Sequence, residues 1–488
     1  MNGVLHSPVL LSVLLDGIAA APALPVRGLV TDSRQVGEGD VFVALKGLQF
    51  DGHAYLAEAA RAGAVAALVE QDQSGAPEGL PLIVVPALRP QLGRIASRFY
   101  GHPTRRMHVA AVTGTNGKTT VSQLFAQLVR RCSYDCGVIG TLGATLDGAA
   151  EASTHTTPDT LALQAIFAEW ASQAVPFAAM EASSHALDQW RLDGVAVDTA
   201  IFTNLTRDHL DYHGDMTTYG EAKGRLFGFP ELRAAVINGD DPYAARLLAT
   251  LDPAVKPCVY GTAEAADLRL EKLEQDARGL SFMLRGPWGR RRVRTPLLGD
   301  FNAMNVVAAL AAAIEAGLPT DVLFDALPSL SAVPGRMEPL RRDGAPLVVI
   351  DYAHTPDALA KVLAALRAQC SGELVAVFGC GGDRDRGKRA LMGEAVSAAA
   401  DRAVVTSDNP RGEDPLKIIG DIEEGMTGAY RVCPDRAEAI ALAISSARPG
   451  DCVVIAGKGH EDYQIVGDEV RPFSDSGIAR EVLAGYDR

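Results

Sequence analysis

The stretch 109–120, VAAVTGTNGKTT, constrains the fold of this chain more than any other part of it. An apolar run typical of a buried strand ends at a loop of small residues, and apolar side chains at helical spacing follow directly. A strand, a glycine loop and a helix in this order form the setting of a phosphate-binding loop. The glycines let backbone N–H groups approach phosphate oxygens, and the N-terminus of the helix adds partial positive charge. The stretch therefore predicts a nucleotide site on an α/β fold.

Two side chains supply the chemistry that such a loop needs. Lys118 is placed to reach the β- and γ-phosphates, and the Thr119 hydroxyl is placed to ligate Mg²⁺. The first glycine of the common pattern G-x-x-x-x-G-K-S/T would fall on Val112, so an ordinary glycine turn remains an alternative. The residues predicted to contact the nucleotide here are Gly114, Thr115, Asn116, Gly117, Lys118, Thr119 and Thr120.

The size and charge of the chain bound its architecture and its partners. A chain of 488 residues suits about three domains of roughly 150 residues, and an apolar fraction of 48% is that of a globular protein. The net charge of −14 argues against a nucleic-acid partner, although local cations can still bind anionic small molecules. No apolar stretch is long enough to span a membrane. We expect small-molecule ligands, no membrane span and a monomeric protein.

Cysteine usage indicates the cellular compartment. The seven cysteines are dispersed, with no C-x-x-C pair and no zinc-ligand spacing, which is typical of reduced thiols in a cytoplasm. The apolar stretch 9–25 resembles a signal peptide, but no Lys or Arg precedes it and Asp16 interrupts it. We therefore expect a folded N-terminal segment and a cytoplasmic protein.

Strand-like and helix-like segments alternate along the chain, which predicts an α/β protein. We expect an N-terminal domain over 1–102, a central domain over 103–333 with the phosphate loop on a parallel sheet, and a doubly wound, Rossmann-like domain over 334–488. A glycine loop at 379–384 suggests a dinucleotide-dependent oxidoreductase as an alternative class. However, the third glycine of G-x-G-x-x-G would fall on Arg384, which argues against that class.

Polar residues directly after predicted strands are the candidates for chemistry. Glu181 ends an apolar run close to the phosphate loop, where a Mg²⁺ ligand is expected. His209 follows the next apolar run and is a second candidate ligand, with a structural histidine as the alternative. Asn302 opens a helix and suits either a nucleotide contact or a helix cap. Ser33 lies in a polar loop that suits either a diphosphate or a surface turn.

Seven motifs follow one another along nearly the whole chain. They are TGTNGKTT at 113–120, MEASSH at 180–185, NLTRDHLDYHG at 204–214, the segment around Lys223, GDFNAMN at 299–305, PGRME at 334–338 and DYAHTPD at 351–357. Together they resemble the motifs of the Mur ligases, the ATP-dependent amide-forming enzymes of peptidoglycan synthesis. The resemblance implies three domains, ATP as a co-substrate and Mg²⁺ as a cofactor.

The resemblance also implies roles for further residues. Lys223 matches the lysine that becomes N6-carboxylysine, whose carbamate would ligate Mg²⁺ together with Thr119, Glu181 and His209. The residues that match further nucleotide contacts are Asn302, Arg336 and Asp351. The residues that match contacts with a UDP-muramoyl-peptide are Thr31, Ser33, Leu48, Gln49, Phe50, Thr156, Thr157, Ser183, Gln189 and Arg191.

The sequence DNPR at 408–411 resembles the family's motif for meso-2,6-diaminopimelate, as opposed to L-lysine. Diaminopimelate differs from lysine by a distal carboxylate, which Arg411 is expected to bind bidentately, with Arg389 as a second cation. Glu461 would hold the distal ammonium group. The predicted amino-acid site comprises Arg389, Asp408, Asn409, Pro410, Arg411, Gly457 and Glu461.

The resemblance implies a two-step ligation. The D-glutamyl γ-carboxylate of UDP-N-acetylmuramoyl-L-alanyl-D-glutamate would attack the γ-phosphate of ATP, giving an acyl phosphate and ADP. The amine of diaminopimelate would then displace phosphate, with His354 as the candidate base. The alternatives are an L-lysine-adding ligase, a folylpolyglutamate-type ligase, and a phosphate-loop switch that hydrolyses nucleotide without ligation.

Overall fold

The computed structural model describes residues 8–47, 51–71, 77–146, 149–151, 156–276 and 278–486. The chain divides into two compact units, one of residues 1–266 with 308–323 and the other of residues 267–307 with 324–488. Three of the predicted site residues lie outside the described residues, namely Leu48, Gln49 and Phe50. The domain boundaries expected at about 102 and 333 stay a prediction.

The first unit alternates strands and helices along the chain. Its strands are β1 (Val9–Leu10), β2 (Pro25–Val26), β3 (Gly28–Val30), β4 (Asp40–Val43), β5 (Ala66–Val69), β6 (Leu82–Val84), β7 (His108–Thr113), β8 (Cys136–Gly140), β9 (Gly143–Leu146), β10 (Ala149–Glu151), β11 (Phe177–Glu181), β12 (Thr199–Phe202), β13 (Ala234–Asn238) and β14 (Lys256–Gly261). Its helices are α1 (Leu11–Leu14), α2 (Leu56–Ala62), α3 (Leu88–Phe99), α4 (Lys118–Arg131), α5 (Thr160–Ser172), α6 (Ser184–Asp188), α7 (Leu210–His213), α8 (Met216–Gly224) and α9 (Ala244–Thr250).

A small parallel sheet in the order β3-β4-β5-β6 lies near the start of the chain. Alternate residues of its strands, such as Val41 and Val43, pack with Ile95 of α3 in one buried cluster. The preceding apolar stretch is also folded, because β1 pairs with β2 and Leu11 and Leu14 are buried. This segment carries the polar loop that contains Ser33.

The central sheet runs in the order β10-β9-β8-β11-β7-β12-β13-β14. Within the part β8-β11-β7-β12-β13-β14 of this order, every pair of neighbouring strands is parallel. Both faces of β7 are covered, which explains why its sequence is a continuous apolar run. In the register, Val112 of β7 is opposite Glu181 of β11 on one side and Ile201 of β12 on the other. The phosphate loop, Glu181 and the loop after Phe202 therefore lie at the same edge.

The second unit begins with an antiparallel meander and continues as a doubly wound sheet. Its strands are β15 (Leu268–Asp276), β16 (Gly279–Gly286), β17 (Gly289–Thr295), β18 (Glu338–Leu340), β19 (Leu347–Asp351), β20 (Leu374–Phe378), β21 (Arg402–Val405), β22 (Tyr430–Val432), β23 (Cys452–Ala456), β24 (Tyr463–Val466) and β25 (Glu469–Pro472). The helices that follow α9 in the chain are α10 (Phe301–Glu315), α11 (Thr320–Ala326), α12 (Pro356–Arg367), α13 (Lys388–Ala399), α14 (Pro415–Glu423), α15 (Arg436–Ser446) and α16 (Asp475–Ala484).

The sheet order β18-β19-β23-β20-β21-β22 is parallel except for β18. Alternate strand residues face opposite layers: Ala376 packs with α12, α13 and α14, whereas Val377 packs with α15 and α16. Helices on both faces of a parallel sheet are the doubly wound arrangement, so the predicted α/β class is confirmed. Among the described residues, no helix combines the length and apolar character needed to cross a membrane.

Candidate active site

The phosphate loop has the backbone that its sequence predicts. Strand β7 ends at Thr113, the loop follows, and α4 begins at Lys118. Gly114 has φ +145°, and a Cβ at this position would overlap the Thr203 hydroxyl, so the loop needs glycine here. Lys118 Nζ donates to the carbonyl oxygens of Gly114 at 2.8 Å and Thr115 at 2.9 Å. The Lys118 side chain, at the N-terminus of the helix, thus folds back over the phosphate loop.

A second lysine reaches the same carbonyl oxygen. Lys223 lies on α8, is 1% exposed, and its Nζ donates to Gly114 O at 2.8 Å. Its Nζ also lies 4.4 Å from the centre of the Tyr219 ring. Burial, and next the positive charge of Lys118, lower the pKa of Lys223 well below its ordinary value. A buried lysine in this setting favours a neutral, nucleophilic amine.

The loop after β12 fixes the phosphate loop in place. Thr203 Oγ1 donates to Asn116 O at 2.6 Å, and Asn204 Oδ1 accepts from Asn116 N at 3.0 Å. The Tyr219 hydroxyl is 3.2 Å from Thr115 Oγ1, which donates to Thr206 O at 3.1 Å. These bonds hold the loop in one conformation, so little ordering is needed when phosphate binds.

Glu181 occupies the predicted position at the carboxyl end of β11. The residue is 1% exposed, and its two carboxylate oxygens accept from Thr141, one from the backbone N–H at 2.7 Å and one from Oγ1 at 3.2 Å. Thr119 Oγ1 lies 3.5 Å from the same Thr141 hydroxyl. The structure therefore brings two predicted Mg²⁺ ligands to one threonine that the sequence analysis missed. Its position directly after β8 is the signal that could have identified it.

His209 lies among other imidazole rings. Its backbone is left-handed, with φ 52°, and its ring centre is 4.8 Å from that of His185, which lies 5.4 Å from that of His213. Desolvation lowers the pKa of His209, and burial lowers the pKa of His185 to about 4. Neutral imidazoles are the form that ligates metals.

A full metal cage does not exist among the residues that the structure describes, where no group of three or more His, Cys, Asp or Glu side chains is arranged to hold a metal ion. Mg²⁺ is usually held by one or two carboxylates with substrate phosphates and water, so a hydroxyl of Thr119 and the carboxylate of Glu181 fit its preference for oxygen ligands. Metal binding by Thr119, Glu181, His209 and Lys223 stays a prediction.

Hydrogen bonds join the residues predicted to hold the muramoyl-peptide. Thr157 Oγ1 donates to Glu181 O at 2.7 Å and lies 3.4 Å from Ser183 Oγ. Arg191 donates to Thr157 O at 3.0 Å and to Gln189 Oε1 at 2.6 Å. Thr156 Oγ1 accepts from Thr141 at 3.4 Å, which extends the same network. These side chains therefore form one network that reaches Glu181 at its backbone carbonyl and, through Thr141, at its carboxylate.

The polar loop of the first small sheet has a different character. Thr31 is exposed and Ser33 is buried at the start of a short 3₁₀ turn. Asp32 caps that turn and forms an ion pair with Arg34, whose side chain is largely exposed. Hydrogen bonding to Arg34 lowers the pKa of Asp32. Binding of uridine diphosphate by this loop stays a prediction.

In the second unit, the predicted nucleotide contacts are held by backbone bonds. Asp351 is buried at the end of β19, and its carboxylate accepts from Met337 N and Ala353 N, both at 2.8 Å. Burial raises the pKa of Asp351. The guanidinium of Arg336 lies 4.5 Å from the centre of the Tyr352 ring. Asn302 donates to Leu298 O at 2.7 Å and so joins α10 to the segment before it.

The DNPR motif follows β21 and is bonded to the glycine loop after β23. Asn409 donates to Glu461 Oε2 at 2.9 Å, and Lys458 Nζ donates to Asn409 Oδ1 at 2.9 Å and to Glu461 Oε2 at 3.2 Å. Lys458 is fully buried and was missed by the sequence analysis. Gly457 has φ 118°, and a Cβ there would lie 2.7 Å from a carboxylate oxygen of Asp408.

Three arginines near this motif have different environments. Arg411 donates to Gly382 O at 2.9 Å. Arg389 is 1% exposed, and both of its Nη atoms already bind carboxylates. Arg384 is exposed, and the Cβ position of Gly381 lies 2.8 Å from Arg411 Nη1 and 3.7 Å from Arg384 Cγ. Arg384 and Arg411 therefore flank one glycine. The sequence analysis missed Arg384 as a site residue, and its place in a glycine loop after a buried strand is the signal that could have identified it.

The candidate base lies on the loop after β19. His354 Nδ1 is 2.8 Å from Tyr352 O, and its own carbonyl oxygen accepts from Lys388 Nζ at 3.0 Å. The surrounding protein desolvates the imidazole and lowers the pKa of His354, although part of the side chain meets solvent. A neutral imidazole near pH 7 is able to accept a proton.

The fold and the site define a nucleotide-binding α/β protein with a phosphate loop and a doubly wound unit. Family models match three successive segments: the Mur ligase family catalytic domain over 25–100, the Mur ligase middle domain over 112–313, and the Mur ligase glutamate ligase domain over 335–459. The chain belongs to the Mur ligase family. The three matched segments also confirm the predicted three-domain architecture.

Curated relatives match this chain over nearly its full length. A protein of Alkalilimnicola ehrlichii is 50% identical over 92% of this chain and 93% of its own length, and one of Pseudomonas aeruginosa is 46% identical over 95% and 96%. Both are named UDP-N-acetylmuramoyl-L-alanyl-D-glutamate–2,6-diaminopimelate ligase. A solved structure of a protein with this name is 39% identical, with a TM-score of 0.76, over 98% of this chain and 99% of that one.

A likeness in fold extends to more distant structures. A folylpolyglutamate synthase of Mycobacterium tuberculosis is 22% identical, covers 75% of this chain and 92% of its own, and has a TM-score of 0.62. At that identity the likeness concerns the fold alone.

Proposed function

We propose that this chain is an ATP-dependent ligase that joins meso-2,6-diaminopimelate to the γ-carboxylate of D-glutamate in UDP-N-acetylmuramoyl-L-alanyl-D-glutamate, with release of ADP and phosphate. The observation that carries this proposal is the cluster in which Asn409 and Glu461 are bonded to each other while Arg411 and Arg384 flank Gly381. A carboxylate and two guanidinium groups match the charges at the distal end of diaminopimelate. The names of the full-length relatives support the same reaction.

In the first step, the D-glutamyl γ-carboxylate attacks the γ-phosphorus of ATP, forming an acyl phosphate and breaking the bond to ADP. Lys118 neutralises charge on the phosphates, and the N–H groups at the start of α4 bind their oxygens. Bound Mg²⁺ supplies further neutralisation of the transferring phosphoryl group. Arg191, Thr157 and Ser183 orient the muramoyl-peptide beside Glu181.

Lys223 acts as a carboxylated residue in this proposal. Its neutral amine attacks carbon dioxide, a C–N bond forms, one C–O π bond opens onto oxygen, and one proton leaves the nitrogen, so that a neutral amine becomes a carbamate anion. Lys118, which contacts the same Gly114 carbonyl oxygen, would then face an anion. The carbamate nitrogen keeps one hydrogen and is still able to donate to Gly114 O. The lowered pKa of Lys223 supports this chemistry, because only the neutral amine is nucleophilic.

In the second step, the amine of diaminopimelate attacks the acyl carbon, an amide forms, and phosphate leaves. The amine must be neutral, and His354 is the candidate that accepts its proton. Arg411 and Arg384 bind the distal carboxylate, while Asn409 and Glu461 bind the distal ammonium group. L-Lysine lacks that carboxylate and would leave the guanidinium groups without their partner, which disfavours it.

The test is phosphate release with ATP, Mg²⁺ and UDP-N-acetylmuramoyl-L-alanyl-D-glutamate, compared for meso-diaminopimelate, L-lysine and no amine. We expect release only with diaminopimelate, and mass spectrometry should detect the tripeptide product. Release with L-lysine would overturn the acceptor and keep the ligase. Release without an amine, and without a new amide, would favour a nucleotide switch. The cytoplasmic location and the monomeric state stay predictions.

A further inference from the structure

Two loops of the second unit are bonded along their length. One loop, 379–387, follows β20, and the other, 408–413, follows β21. Gly382 N donates to Asn409 O at 2.9 Å, Arg411 donates to Gly382 O at 2.9 Å, and Gly412 N donates to Asp383 Oδ2 at 3.0 Å. A Cβ at Gly382 would overlap Pro410 O, so the two backbones approach as closely as glycine permits.

Glu413, the last residue of loop 408–413, binds loop 379–387 through its side chain. Its Oε1 accepts from Asp383 N at 2.6 Å and from Arg389 at 2.8 Å, and its Oε2 accepts from Arg389 and Arg386, both at 3.1 Å. The hydrogen bonds from Arg389, and next that from Asp383, lower the pKa of Glu413 to about 2. Glu413 is therefore ionised at neutral pH and bound at both oxygens.

The guanidinium of Arg389 is committed to the protein. It binds Glu413 through both Nη atoms, and Nη1 also binds Asp421 of α14 at 2.7 Å. Nη2 lies 3.4 Å from Gly381 O, within the glycine loop itself. A bidentate pair of this kind fixes direction as well as distance. Both Nη atoms are engaged, and the side chain is 1% exposed, so a substrate carboxylate has no approach to them.

We propose that Arg389 is a positioning residue, which acts through Glu413 to fix loops 379–387 and 408–413 against each other and so sets where Arg411 and Arg384 meet the acceptor's carboxylate. This inference rests on the proposed function. It differs from the role predicted for Arg389 from the sequence, which was direct contact with the amino acid. On this account, the specificity of the acceptor site depends on a buried ion pair that the acceptor never touches.

The experiment compares two carboxylates that bind the same guanidinium. Glu413→Gln removes the charge that also holds the Asp383 backbone, whereas Asp421→Asn removes a partner on α14 that lies outside both loops. We expect Glu413→Gln to raise the KM for the acceptor amino acid by about tenfold or more, with the KM for ATP within about twofold of wild type. Asp421→Asn should leave both KM values within about twofold. Thermal unfolding of both variants measures their common loss of stability.

A third variant separates positioning from direct contact. Arg389→Lys keeps the charge but loses the bidentate bond, so it should raise the acceptor KM in parallel with Glu413→Gln. A large effect of Arg389→Lys with none of Glu413→Gln would indicate direct contact and overturn the proposal. Equal effects of Glu413→Gln and Asp421→Asn on every kinetic constant would show that the ion pair of Arg389 and Glu413 contributes only to general stability. That result would also overturn the proposal.

The acceptor is established first with the wild-type protein. If L-lysine is used in place of diaminopimelate, the proposed acceptor is wrong, and the three variants are compared by the KM for L-lysine. The positioning role of Arg389 is then tested independently of which amino acid is the acceptor.

Discussion

In the phosphate-loop unit, the buried amine of Lys223 donates to a carbonyl oxygen that Lys118 also contacts, and the positive charge of Lys118 helps to lower the pKa of Lys223. In the doubly wound unit, the buried cations each contact a carboxylate: Arg389 binds Glu413, and Lys458 binds Glu461. Both units bury lysine or arginine almost completely, but they balance the charge differently.

This difference indicates what each site still needs. A positive charge on Lys223 would be opposed by Lys118, and an anion beside the two lysines, such as a phosphate or a carbamate, would offset the charge of Lys118. The phosphate-loop site is therefore completed by its ligands. The acceptor site is neutralised by its own carboxylates, so it selects a ligand by where its side chains are held.

The largest effect should come from the lysine of the phosphate loop. Lys118→Ala removes the cation at the N-terminus of α4, and we expect ADP formation to fall by about a thousandfold or more, measured by a coupled ADP assay. Lys256→Ala is the control, because Lys256 begins β14 at the opposite edge of the sheet and its side chain is largely exposed. Turnover of Lys118→Ala within about tenfold of wild type would contradict the phosphate-loop assignment.

A smaller loss, of about a hundredfold, is expected for Lys223→Ala. If the residue acts as a carbamate, a small carboxylic acid such as acetate should enter the vacated space and restore part of the activity. Lys118→Ala, assayed with the same acids, should show no recovery. Full activity of Lys223→Ala, or a loss that no acid reduces, would count against carboxylation.

A substitution in the acceptor site should change the KM for the amino acid and leave the reaction of ATP unchanged. Arg411→Ala is expected to raise the KM for diaminopimelate by about ten- to a hundredfold, because one charge-assisted bidentate pair is lost. Arg431→Ala, on the exposed edge strand β22, is the control. An unchanged KM in Arg411→Ala would mean that the distal carboxylate binds elsewhere.

Local patterns allowed much of the fold and of the phosphate-loop site to be predicted. Residues 109–120 are contiguous, so the strand, loop and helix could be read together. Glu181 was found because the carboxyl ends of parallel strands meet at one edge of a sheet. Such inferences need only the period of the sequence and the direction of the strands.

The contacts between distant loops could not be predicted in the same way. Thr141 bonds Glu181 across forty positions of sequence, and Glu413 binds Arg389 from another loop. Nothing in the local pattern of these residues indicates which partner they meet, because the pairing depends on how loops from neighbouring strands pack. The sequence predicted that Arg389 contacts the amino acid without showing its ion pair with Glu413, and the exposed Arg384 served only to argue against a dinucleotide motif.

The smallest effect is the most direct test of the comparison between the units, because one substitution is made at a buried lysine in each. Lys223→Met removes a buried amine whose charged form Lys118 disfavours, so the free energy of unfolding in carbon dioxide-free buffer should stay within about 1 kcal/mol of wild type or rise. Lys458→Met removes the partner of Glu461 and Asn409 and should lower it by about 3 kcal/mol, since a partly buried carboxylate loses its fully buried cation. Urea unfolding monitored by circular dichroism measures both. Equal losses in the two variants would show that the units balance buried charge alike, and a larger loss in Lys223→Met would reverse the comparison.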